Sequence, residues 1–411
     1  MPTITKKFKR YNSIGKEELR AATKVLKSGK LSEFLASWGK EFYGGKYVRQ
    51  FESKLKTFYK VKHAIVLNSW TSGLVAAVGA LDIEPGDEII VTPWTMCATA
   101  TAILHWNAIP VFVDINQDDY CINLKDLEKK ITKKTKAIIT VDIFGNSSNV
   151  KSIKAKIKNK NIKIISDSAQ APFTLENKKI VGTQSDIGGY SLNYHKHINT
   201  GEGGIIVTNN NFYADRVRLI RNHGEAVVEG MKFKKINNII GHNFRMGEIE
   251  AAIGIQQLKK LKNLVKSRQN IATRLTSGLK NLKGIITPKI KKNHTHSFYV
   301  YPIVLDLKKI KYSRRTIFKK LIKEGVQGLT EGYIVLHRLP MFKKKIAYGK
   351  KHFPWSLNKK KYLYSNGQCP QAEFLHDKSF LSLELCQFDL TKRDVDLIIN
   401  SFEKVWLKLK I

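Results

Sequence analysis

A lysine beside a glycine-rich turn and an aspartate after an apolar run are the residues of this chain best suited to chemistry. Lys196 precedes Thr200 and the run Gly201–Gly204, and Asp167 follows the apolar run Ile162–Ile165. A lysine amine can form a Schiff base with the aldehyde of a cofactor. A carboxylate can keep a pyridine nitrogen protonated, so that the ring takes up electrons. The two residues together predict a pyridoxal phosphate enzyme that acts on an amine or a ketone.

The order and spacing of short motifs along most of the chain resemble those of the DegT/DnrJ/EryC1/StrS family of sugar aminotransferases. The motifs, besides those of Asp167 and Lys196, are Ile14-Gly15, Phe42–Gly45, Phe51-Glu52, Asn68–Leu74, Pro85–Glu88, Pro110–Asp114, Thr135–Ile138, Arg221–Gly224, Gly241–Met246 and Cys369–Glu373. The resemblance implies an α/β enzyme of the pyridoxal phosphate transferase fold type I. That fold has a large domain, with a mostly parallel seven-stranded sheet flanked by helices, and a smaller C-terminal α+β domain.

The position of Lys196 within its motif is that of the family's catalytic cofactor lysine. Ser191 lies five positions before it and Gly201 five positions after it. Some relatives carry a histidine in place of this lysine and are sugar 3-dehydratases. Because the chain keeps Lys196, the resemblance implies transamination, and a dehydratase is the alternative. The flanking His195 and His197 are expected to pack or support, not to act as acid–base catalysts.

The resemblance assigns further residues to the cofactor. Asp167 and Gln170 match residues that contact the pyridine nitrogen and the phenolic oxygen. Asp167 could instead cap a following helix, and Gln170 could be a polar residue of a first helical turn. Thr71 and Ser72, joined by Ser191, match the hydroxyls that bind phosphate at a helix start. Simple helix capping is the alternative for Thr71 and Ser72, and both roles can hold together.

Three positions raise questions about how the site is built. Asn243 matches a residue that reaches the phosphate from the neighbouring subunit, which implies a homodimer with shared active sites; the alternative is a turn residue. Met96 stands where the family usually places an aromatic residue over the cofactor ring, and its thioether can cover the ring. Asp142 replaces a histidine that is common in the family, and its role stays open at this point.

Short apolar runs predict the strands that must position these residues. The runs are His63–Leu67, Glu88–Thr92, Pro110–Ile115, Ala137–Val141, Ile162–Ser166, Ile187–Ser191 and Gly204–Thr208. Most of them consist largely of valine and isoleucine and are followed by an amphipathic segment, which is typical of a parallel sheet covered by helices. We therefore predict a mostly parallel sheet.

The pattern changes after about residue 260. A periodic segment from Met246 predicts a helix that leaves the large domain. Beyond it we predict a strand at His296–Leu305, a helix at Ser313–Glu324 and a final helix that a Thr391/Asp394 capping box begins. We therefore predict a large cofactor-binding domain with an N-terminal arm over residues 1–260, and a small α+β domain over residues 261–411.

Composition excludes several other classes of protein. The 411 residues carry a net charge of +38, but the lysine runs are interleaved with isoleucine and asparagine and mark no nucleic-acid module. We expect solvated helix faces that mildly steer an anionic substrate. No apolar run reaches the length of a membrane span, and no apolar stretch follows the N-terminus. The four cysteines lack metal-type spacing. The sequence predicts a cytoplasmic protein with reduced thiols, without metal, nucleic-acid partner or membrane insertion.

The resemblance also implies the substrates. The amino donor is expected to be L-glutamate and the acceptor an anionic keto (or aldehyde) sugar. Family members aminate nucleotide-linked keto-hexoses, keto-inositols and the 8-oxo form of the octulosonic acid Kdo, for surface polysaccharide, lipopolysaccharide or antibiotic sugars. The segments Leu192–His197 and Trp94–Met96 are similar to the 8-amino-3,8-dideoxy-octulosonate transaminase type. A non-catalytic regulatory protein that binds the cofactor is the alternative outside the enzymes, and the retained cofactor residues disfavour it.

Overall fold

The computed structural model describes residues 1–158, 160–230, 236 and 239–411, and a large sheet lies at its centre. The strands of the described residues are, in chain order, β1 (His63–Leu67), β2 (Glu88–Val91), β3 (Ile109–Phe112), β4 (Thr135–Val141), β5 (Lys163–Asp167), β6 (Leu175–Glu176), β7 (Lys179–Ile180), β8 (Ile187–Ser191), β9 (Gly204–Thr208), β10 (Ile285–Ile286), β11 (Tyr301–Leu305), β12 (Leu329–Thr330) and β13 (Phe380–Leu383).

The large sheet has seven strands in the order β1-β9-β8-β5-β4-β2-β3. β9 is antiparallel to both of its neighbours, and all the other neighbouring pairs are parallel. Each of the seven predicted apolar runs forms one of these strands. The prediction of a mostly parallel seven-stranded sheet is therefore confirmed, and its strands are almost completely buried, as expected when helices cover both faces.

The helices lie between and around these strands. They are α1 (Lys16–Ser28), α2 (Lys46–Tyr59), α3 (Trp70–Ala80), α4 (Ala98–His105), α5 (Leu124–Lys130), α6 (Val150–Lys156), α7 (Asn211–Arg221), α8 (Glu248–Leu279), α9 (Arg314–Lys323), α10 (Pro340–Lys344), α11 (Pro370–Phe374) and α12 (Lys392–Leu409). α3 packs against α4 and α7, and α8 packs against α1, α2 and α12. Within the described ranges, no helix combines the length and apolar character that a membrane crossing requires.

A second, smaller sheet follows in the C-terminal part, with four antiparallel strands in the order β10-β11-β13-β12. The strand predicted at His296–Leu305 is shorter and begins at Tyr301, because Phe298 has a φ of 50° and interrupts the extended backbone. The helix predicted at Ser313–Glu324 is α9, with Ser313 as its N-cap. The final helix begins with the predicted capping box, in which Thr391 and Asp394 bond each other's backbone N–H groups.

The helix α8 runs through the predicted domain boundary at residue 260. Its first half packs with α2 and β9, whereas its second half lies in the core of the small sheet. Ile4 and Phe8 of the N-terminal arm lie in that same small core, and the segment from Val335 to Leu375 contributes to the core of the large sheet. The division of the chain at residue 260 stays a prediction, because these packing relations cross it in both directions.

The strand ends decide where chemistry can take place. Parallel strands end at one edge of a sheet, and ligands of open α/β sheets bind at that edge. β4, β5 and β8 end there at Val141, Asp167 and Ser191, and α3 begins at Trp70 shortly after β1. The segment with Lys196 leaves from the end of β8. The fold therefore brings the Asp167 and Lys196 motifs to the same edge.

Candidate active site

A cavity of about 540 Å³ lies at this edge of the large sheet. Its wall combines strand ends, the start of α3 and parts of the small sheet. Of the predicted cofactor residues, the wall includes Lys196, Asp167, Gln170, Ser191, Thr71 and Met96. Ser72 and Asn243 are outside the wall that the described residues form. Residues from four separate segments of the chain thus meet in one place.

Lys196 lies buried in this cavity beside an aromatic ring. Its backbone N–H donates to the carbonyl of Asn193, and its Nζ lies 4.3 Å from the centroid of the Tyr299 ring. Burial lowers the pKa of the Lys196 amine to about 8, although Asp167 and Cys386 act in the opposite direction. About half of such amines are neutral at pH 8, whereas an ordinary lysine is almost wholly charged there. Lys196 can therefore attack an aldehyde or accept a proton near neutral pH.

Asp167, the last residue of β5, holds its carboxylate with three donors. Oδ1 accepts from Trp70 Nε1 at 2.8 Å and from the Ala169 N–H at 3.2 Å, and Oδ2 accepts from Thr99 Oγ1 at 2.8 Å. Burial raises the pKa of Asp167, while Thr99, Trp70, Ala169 and Lys196 favour its ionised form. In the described structure no helix begins directly after Asp167, so it is not a helix cap.

Gln170 is held in the wall by hydrogen bonds at both ends of its amide. Its Oε1 accepts from the Phe144 N–H at 2.6 Å, and its Nε2 donates to the Tyr333 hydroxyl at 2.8 Å. Tyr333 also lines the cavity, and its ring stacks on Phe144. The amide of Gln170 therefore has a fixed orientation, with one further N–H able to meet a ligand.

The start of α3 presents hydroxyls and backbone N–H groups to the cavity. Ser69 is the N-cap, because its Oγ accepts from the Ser72 N–H at 3.0 Å. The Ser72 hydroxyl lies 2.9 Å from Ser69 Oγ, which ties it to the cap. Ser69 and Thr71 line the cavity together with Ser191. Backbone N–H groups and hydroxyls at a helix start suit a phosphate group. Ser69 belongs to this set in addition to the predicted Thr71, Ser72 and Ser191.

Met96 faces the cavity and is half-exposed, at 50% of its maximal accessible surface. Its Sδ accepts from the Ala98 N–H at 3.0 Å. The indole of Trp94, two residues earlier, is fully buried elsewhere and donates to the Tyr333 carbonyl at 2.7 Å. The thioether is thus the side chain of this segment that is free to lie over a bound ring.

The two histidines beside Lys196 and the aspartate whose role was left open differ in where they lie relative to the cavity. His197 lies outside the cavity wall of the described residues and bonds the Ser297 carbonyl at 2.8 Å. His195 lines the cavity, and burial lowers its pKa to about 4, with a smaller contribution from Lys196. Asp142 accepts from the hydroxyls of Ser148 and Ser168 at 2.7 and 2.6 Å. Burial raises the pKa of Asp142 to about 6.

Comparisons with known proteins identify the family of this chain. The model of the DegT/DnrJ/EryC1/StrS aminotransferase family matches residues 12–400. The chain belongs to this family. It is 32% identical to the spore coat polysaccharide biosynthesis protein SpsC of Bacillus subtilis, over 84% of this chain and 87% of that protein. It is also 32% identical to the UDP-4-amino-4,6-dideoxy-N-acetyl-beta-L-altrosamine transaminase of Campylobacter jejuni, over 82% and 86% of the two chains.

A solved structure agrees with this assignment. Helicobacter pylori PseC, an aminotransferase involved in the biosynthesis of pseudoaminic acid, superposes with a TM-score of 0.80 at 29% identity, over 98% of this chain and 100% of that one. The predictions of the family, of the fold type and of an enzyme are confirmed. The chain is a sugar aminotransferase, and its cofactor is pyridoxal phosphate.

The residues of the cavity fit that cofactor. They offer a buried amine for its aldehyde, an anchored carboxylate for its pyridine nitrogen, a fixed amide for its phenolic oxygen and hydroxyls at a helix start for its phosphate. The cavity wall also includes residues that were not predicted from the sequence, among them Trp70, Thr99, Tyr299 and Tyr333. Trp70 lies inside the motif Asn68–Leu74, whereas no local sequence signal marks Tyr333.

The charge of the cavity wall differs from the charge of the whole chain. Asp142, Asp167, Glu202 and Glu384 line the cavity, and Lys196 is the one lysine or arginine among its described lining residues. From the net charge of +38 we expected solvated, lysine-rich helix faces that mildly steer an anionic substrate. The wall that this aminotransferase chain forms alone is instead rich in carboxylates, so the lysine surplus lies elsewhere on its surface.

Proposed function

We propose that this aminotransferase transfers an amino group from L-glutamate to an anionic keto sugar, with Lys196 as the covalent cofactor lysine and proton carrier. The observation that carries the proposal is the meeting of Lys196 and Asp167 in one buried cavity, with Gln170 beside them. When bound, pyridoxal phosphate supplies an aldehyde that exchanges amino groups and a ring that takes up electrons.

Each predicted site residue then has a role that its surroundings explain. The neutral Nζ of Lys196 accepts the α-proton of the amino donor and returns it, because burial lowers the pKa of this amine to about 8. Asp167 keeps the pyridine nitrogen protonated, and Gln170 donates to the phenolic oxygen. Thr71 and Ser191, with Ser72 as part of the helix start, hold the phosphate. Met96 covers the ring.

Charge supports a second part of the proposal, a homodimer with shared active sites. The cofactor phosphate and both carboxylates of glutamate are anionic, yet the described wall offers Lys196 against four carboxylates. Donors from a second copy would help to hold these anions, cationic groups by their charge and neutral groups by hydrogen bonds. Asn243 is exposed and lies outside the cavity of its own chain, where it pairs with Asn222. We propose that it reaches the phosphate of the other subunit.

Hybrid dimers test this shared site. A Lys196→Ala chain and an Asn243→Ala chain should each be inactive, because each damages both sites of its own dimer. When the two are mixed and allowed to exchange, one site of each hybrid keeps both residues. We expect activity to return to about a quarter of that of the wild-type protein, since about half of random dimers are hybrids with one intact site each. The steady-state rate of the mixture is the measurement.

Subunit exchange must be shown independently, for example by transfer between fluorescent labels on the two chains. Exchange without any return of activity, from an Asn243→Ala chain that is inactive alone, contradicts the shared site. An Asn243→Ala chain that is fully active alone contradicts the role of Asn243.

The acceptor proposal rests on the relatives and on the lysine surplus outside the cavity, which can steer an anion toward the protein. The Campylobacter jejuni relative is named for a UDP-linked amino sugar, and the Bacillus subtilis relative for polysaccharide biosynthesis. A nucleotide-linked keto-hexose and the 8-oxo form of Kdo are both anionic and both belong to surface polysaccharide or lipopolysaccharide pathways. We propose an acceptor of this kind, and a cytoplasmic enzyme that meets it there.

Spectroscopy of the purified protein tests the function as a whole. The bound cofactor should give a visible absorption band that L-glutamate bleaches with release of 2-oxoglutarate. Addition of the correct keto sugar should then restore the band, because the amino group leaves the cofactor again. A panel of nucleotide-linked keto-hexoses, keto-inositols and 8-oxo-Kdo identifies the acceptor. A band that glutamate never bleaches would contradict the donor, and a protein without any band would contradict the enzyme proposal.

Salt dependence separates anionic acceptors from neutral ones in the same assay. Exposed lysines steer an anion over about 10 Å at 0.1 M salt, and added salt screens them. The second-order rate constant for the sugar should therefore fall with salt while the maximal rate stays nearly constant. A neutral free sugar that reacts as well as every anionic candidate, without salt dependence, contradicts an anionic acceptor.

A further inference from the structure

The indole of Trp70 lies against the carboxylate of Asp167, and we propose that it is a positioning residue for the cofactor. In this proposal the indole N–H keeps Asp167 ionised and turns one of its oxygens toward the ring nitrogen. Trp70 would thus act through Asp167 without touching the reacting atoms. The inference rests on the proposed function, since it requires Asp167 to be the partner of the pyridine nitrogen.

The three donors divide the carboxylate of Asp167 into two unlike oxygens. Oδ1 accepts from Trp70 Nε1 at 2.8 Å and from the Ala169 N–H at 3.2 Å. Oδ2 accepts only from Thr99 Oγ1, at 2.8 Å, among the described residues. A carboxylate oxygen has two lone pairs, so Oδ1 is saturated and Oδ2 keeps one for a further donor. The protonated ring nitrogen can be that donor.

The chemistry of these donors favours the charged form of Asp167. An indole N–H and a backbone N–H can donate but cannot accept, so neither can bond a proton carried by the aspartate. The Thr99 hydroxyl can do both, and it also lies 3.2 Å from Thr95 Oγ1. The two fixed donors on Oδ1 therefore stabilise the ionised carboxylate selectively. This matters because Asp167 is buried, and burial disfavours charge.

The backbone is shaped to admit the indole at this place. Gly189 of β8 pairs with Asp167 of β5, so the space above Gly189 is directly beside the aspartate. A Cβ on Gly189 would lie 1.9 Å from Trp70 Cζ3, and a Cβ on Gly73 would lie 2.6 Å from Trp70 Cε3. Neither glycine could therefore be alanine with the indole in place. The two glycines and Trp70 form one built unit around Asp167.

A matched pair of variants isolates the N–H group. Trp70→Phe keeps an aromatic ring and removes the donor. The control is Trp106→Phe, because Trp106 occupies a similar notch: a Cβ on Gly79 would lie 2.2 Å from Trp106 Cζ2, and its Nε1 donates to the neutral Val75 carbonyl at 2.7 Å. Trp106 lies outside the cavity wall of the described residues. Both variants lose one indole N–H, but only Trp70→Phe removes a hydrogen-bond donor from a carboxylate.

The readout is the affinity of the apoprotein for pyridoxamine phosphate, measured from about pH 4 to 7, a range that spans the titration of a buried aspartate. This form of the cofactor has no aldehyde and cannot bond covalently to Lys196. Its affinity should fall on acidification, when Asp167 takes up a proton. Loss of the indole donor makes that uptake easier, so the fall should move to higher pH in Trp70→Phe. On the acidic limb, the pH range in which affinity falls, we expect Trp70→Phe to bind pyridoxamine phosphate about tenfold more weakly than the wild type. Trp106→Phe should bind it as the wild type does.

Other titratable groups lie near Asp167 and can contribute to the pH dependence of the affinity. Lys196 follows β8, Asp142 ends the neighbouring β4 region, Tyr333 comes from the small-sheet side, and the cofactor phosphate titrates as well. All of these remain in Trp70→Phe and in Trp106→Phe, so a difference between the two variants belongs to Trp70. An acidic limb in Trp70→Phe within about twofold of the wild type would overturn the inference.

Asp167→Asn separates this inference from the function on which it rests. If that variant loses the acidic limb while Trp70→Phe keeps the wild-type limb, the inference alone fails. If Asp167→Asn behaves as the wild type, Asp167 is not the ring partner and the proposed role fails with it. Should Trp70→Phe not fold, the ¹⁵N-indole resonance of Trp70 in the wild-type protein decides. It should shift as Asp167 titrates, and a resonance that is constant over the same pH range would overturn the inference.

Discussion

Replacement of Lys196 by alanine is expected to abolish turnover while the protein still binds the cofactor without a covalent bond. Two functions end together, since the buried Nζ is both the covalent anchor and the carrier of the α-proton in the proposed mechanism. We expect kcat to fall by about 10⁴-fold or more, because the loss of the covalent anchor adds to the loss of general acid–base catalysis, which alone contributes about 10² to 10⁴-fold. Reduction with borohydride followed by mass spectrometry should label Lys196 in the wild-type protein and no residue in the variant.

The control and a rescue make this test specific. Lys262→Ala removes an exposed lysine on α8, outside the cavity wall of the described residues, and should leave kcat unchanged. Small primary amines added to Lys196→Ala should restore part of the rate, since they can enter the space of the lost side chain and carry the proton. Full transaminase activity in Lys196→Ala without added amine contradicts the assignment.

The large sheet could be predicted from the sequence because its strands are buried on both faces. Runs such as Ala137–Val141 and Ile187–Ser191 are short, apolar and bounded by polar turns, so they have few alternatives to a strand covered on both faces. The small sheet was harder to predict. The strand expected from His296 begins only at Tyr301, because Phe298 has a positive φ. That backbone conformation depends on tertiary contacts, which local composition does not encode.

The site was predictable where its residues come from strand ends, and unpredictable where they come from distant parts of the chain. Asp167, Ser191 and Lys196 meet because parallel strands end at one edge. Tyr333 bonds Gln170 across 163 positions of sequence, and Glu384 reaches the cavity from the end of β13. Such contacts follow from the packing of the small sheet on the large one, which no short motif encodes. The roles assigned to the predicted residues stay predictions until variants are measured.

The net charge shows a different limit of composition. A surplus of +38 correctly describes the whole chain, yet the cavity wall of the described residues has four carboxylates and one lysine. A global average cannot locate charge, because exposed lysines are tolerated almost anywhere on a surface whereas buried carboxylates need specific donors. Asp142 has such donors in Ser148 and Ser168, and Asp167 has them in Trp70 and Thr99.

Asp167→Asn is expected to fold like the wild-type protein and to lose most of its activity. Asparagine has the shape of aspartate, so its oxygen can still accept from Trp70 and its amide can donate to the Thr99 hydroxyl. A neutral amide cannot hold the proton on the ring nitrogen, and the ring then takes up electrons less well. We expect kcat to fall by about 10² to 10⁴-fold, the range attributed to a positioned electrostatic or proton-transfer group.

The step that fails distinguishes this role from a structural one. If Asp167 acts on the ring, removal of the α-proton becomes slower, and glutamate deuterated at the α-carbon should show a larger isotope effect on kcat in Asp167→Asn than in the wild type. Glu88→Gln is the control, because Glu88 is a fully buried strand carboxylate that bonds Lys360 at 2.8 Å, outside the cavity wall of the described residues. It should lower the melting temperature and leave the isotope effect unchanged. A near-normal rate in Asp167→Asn would show that this carboxylate only supports the turn after β5.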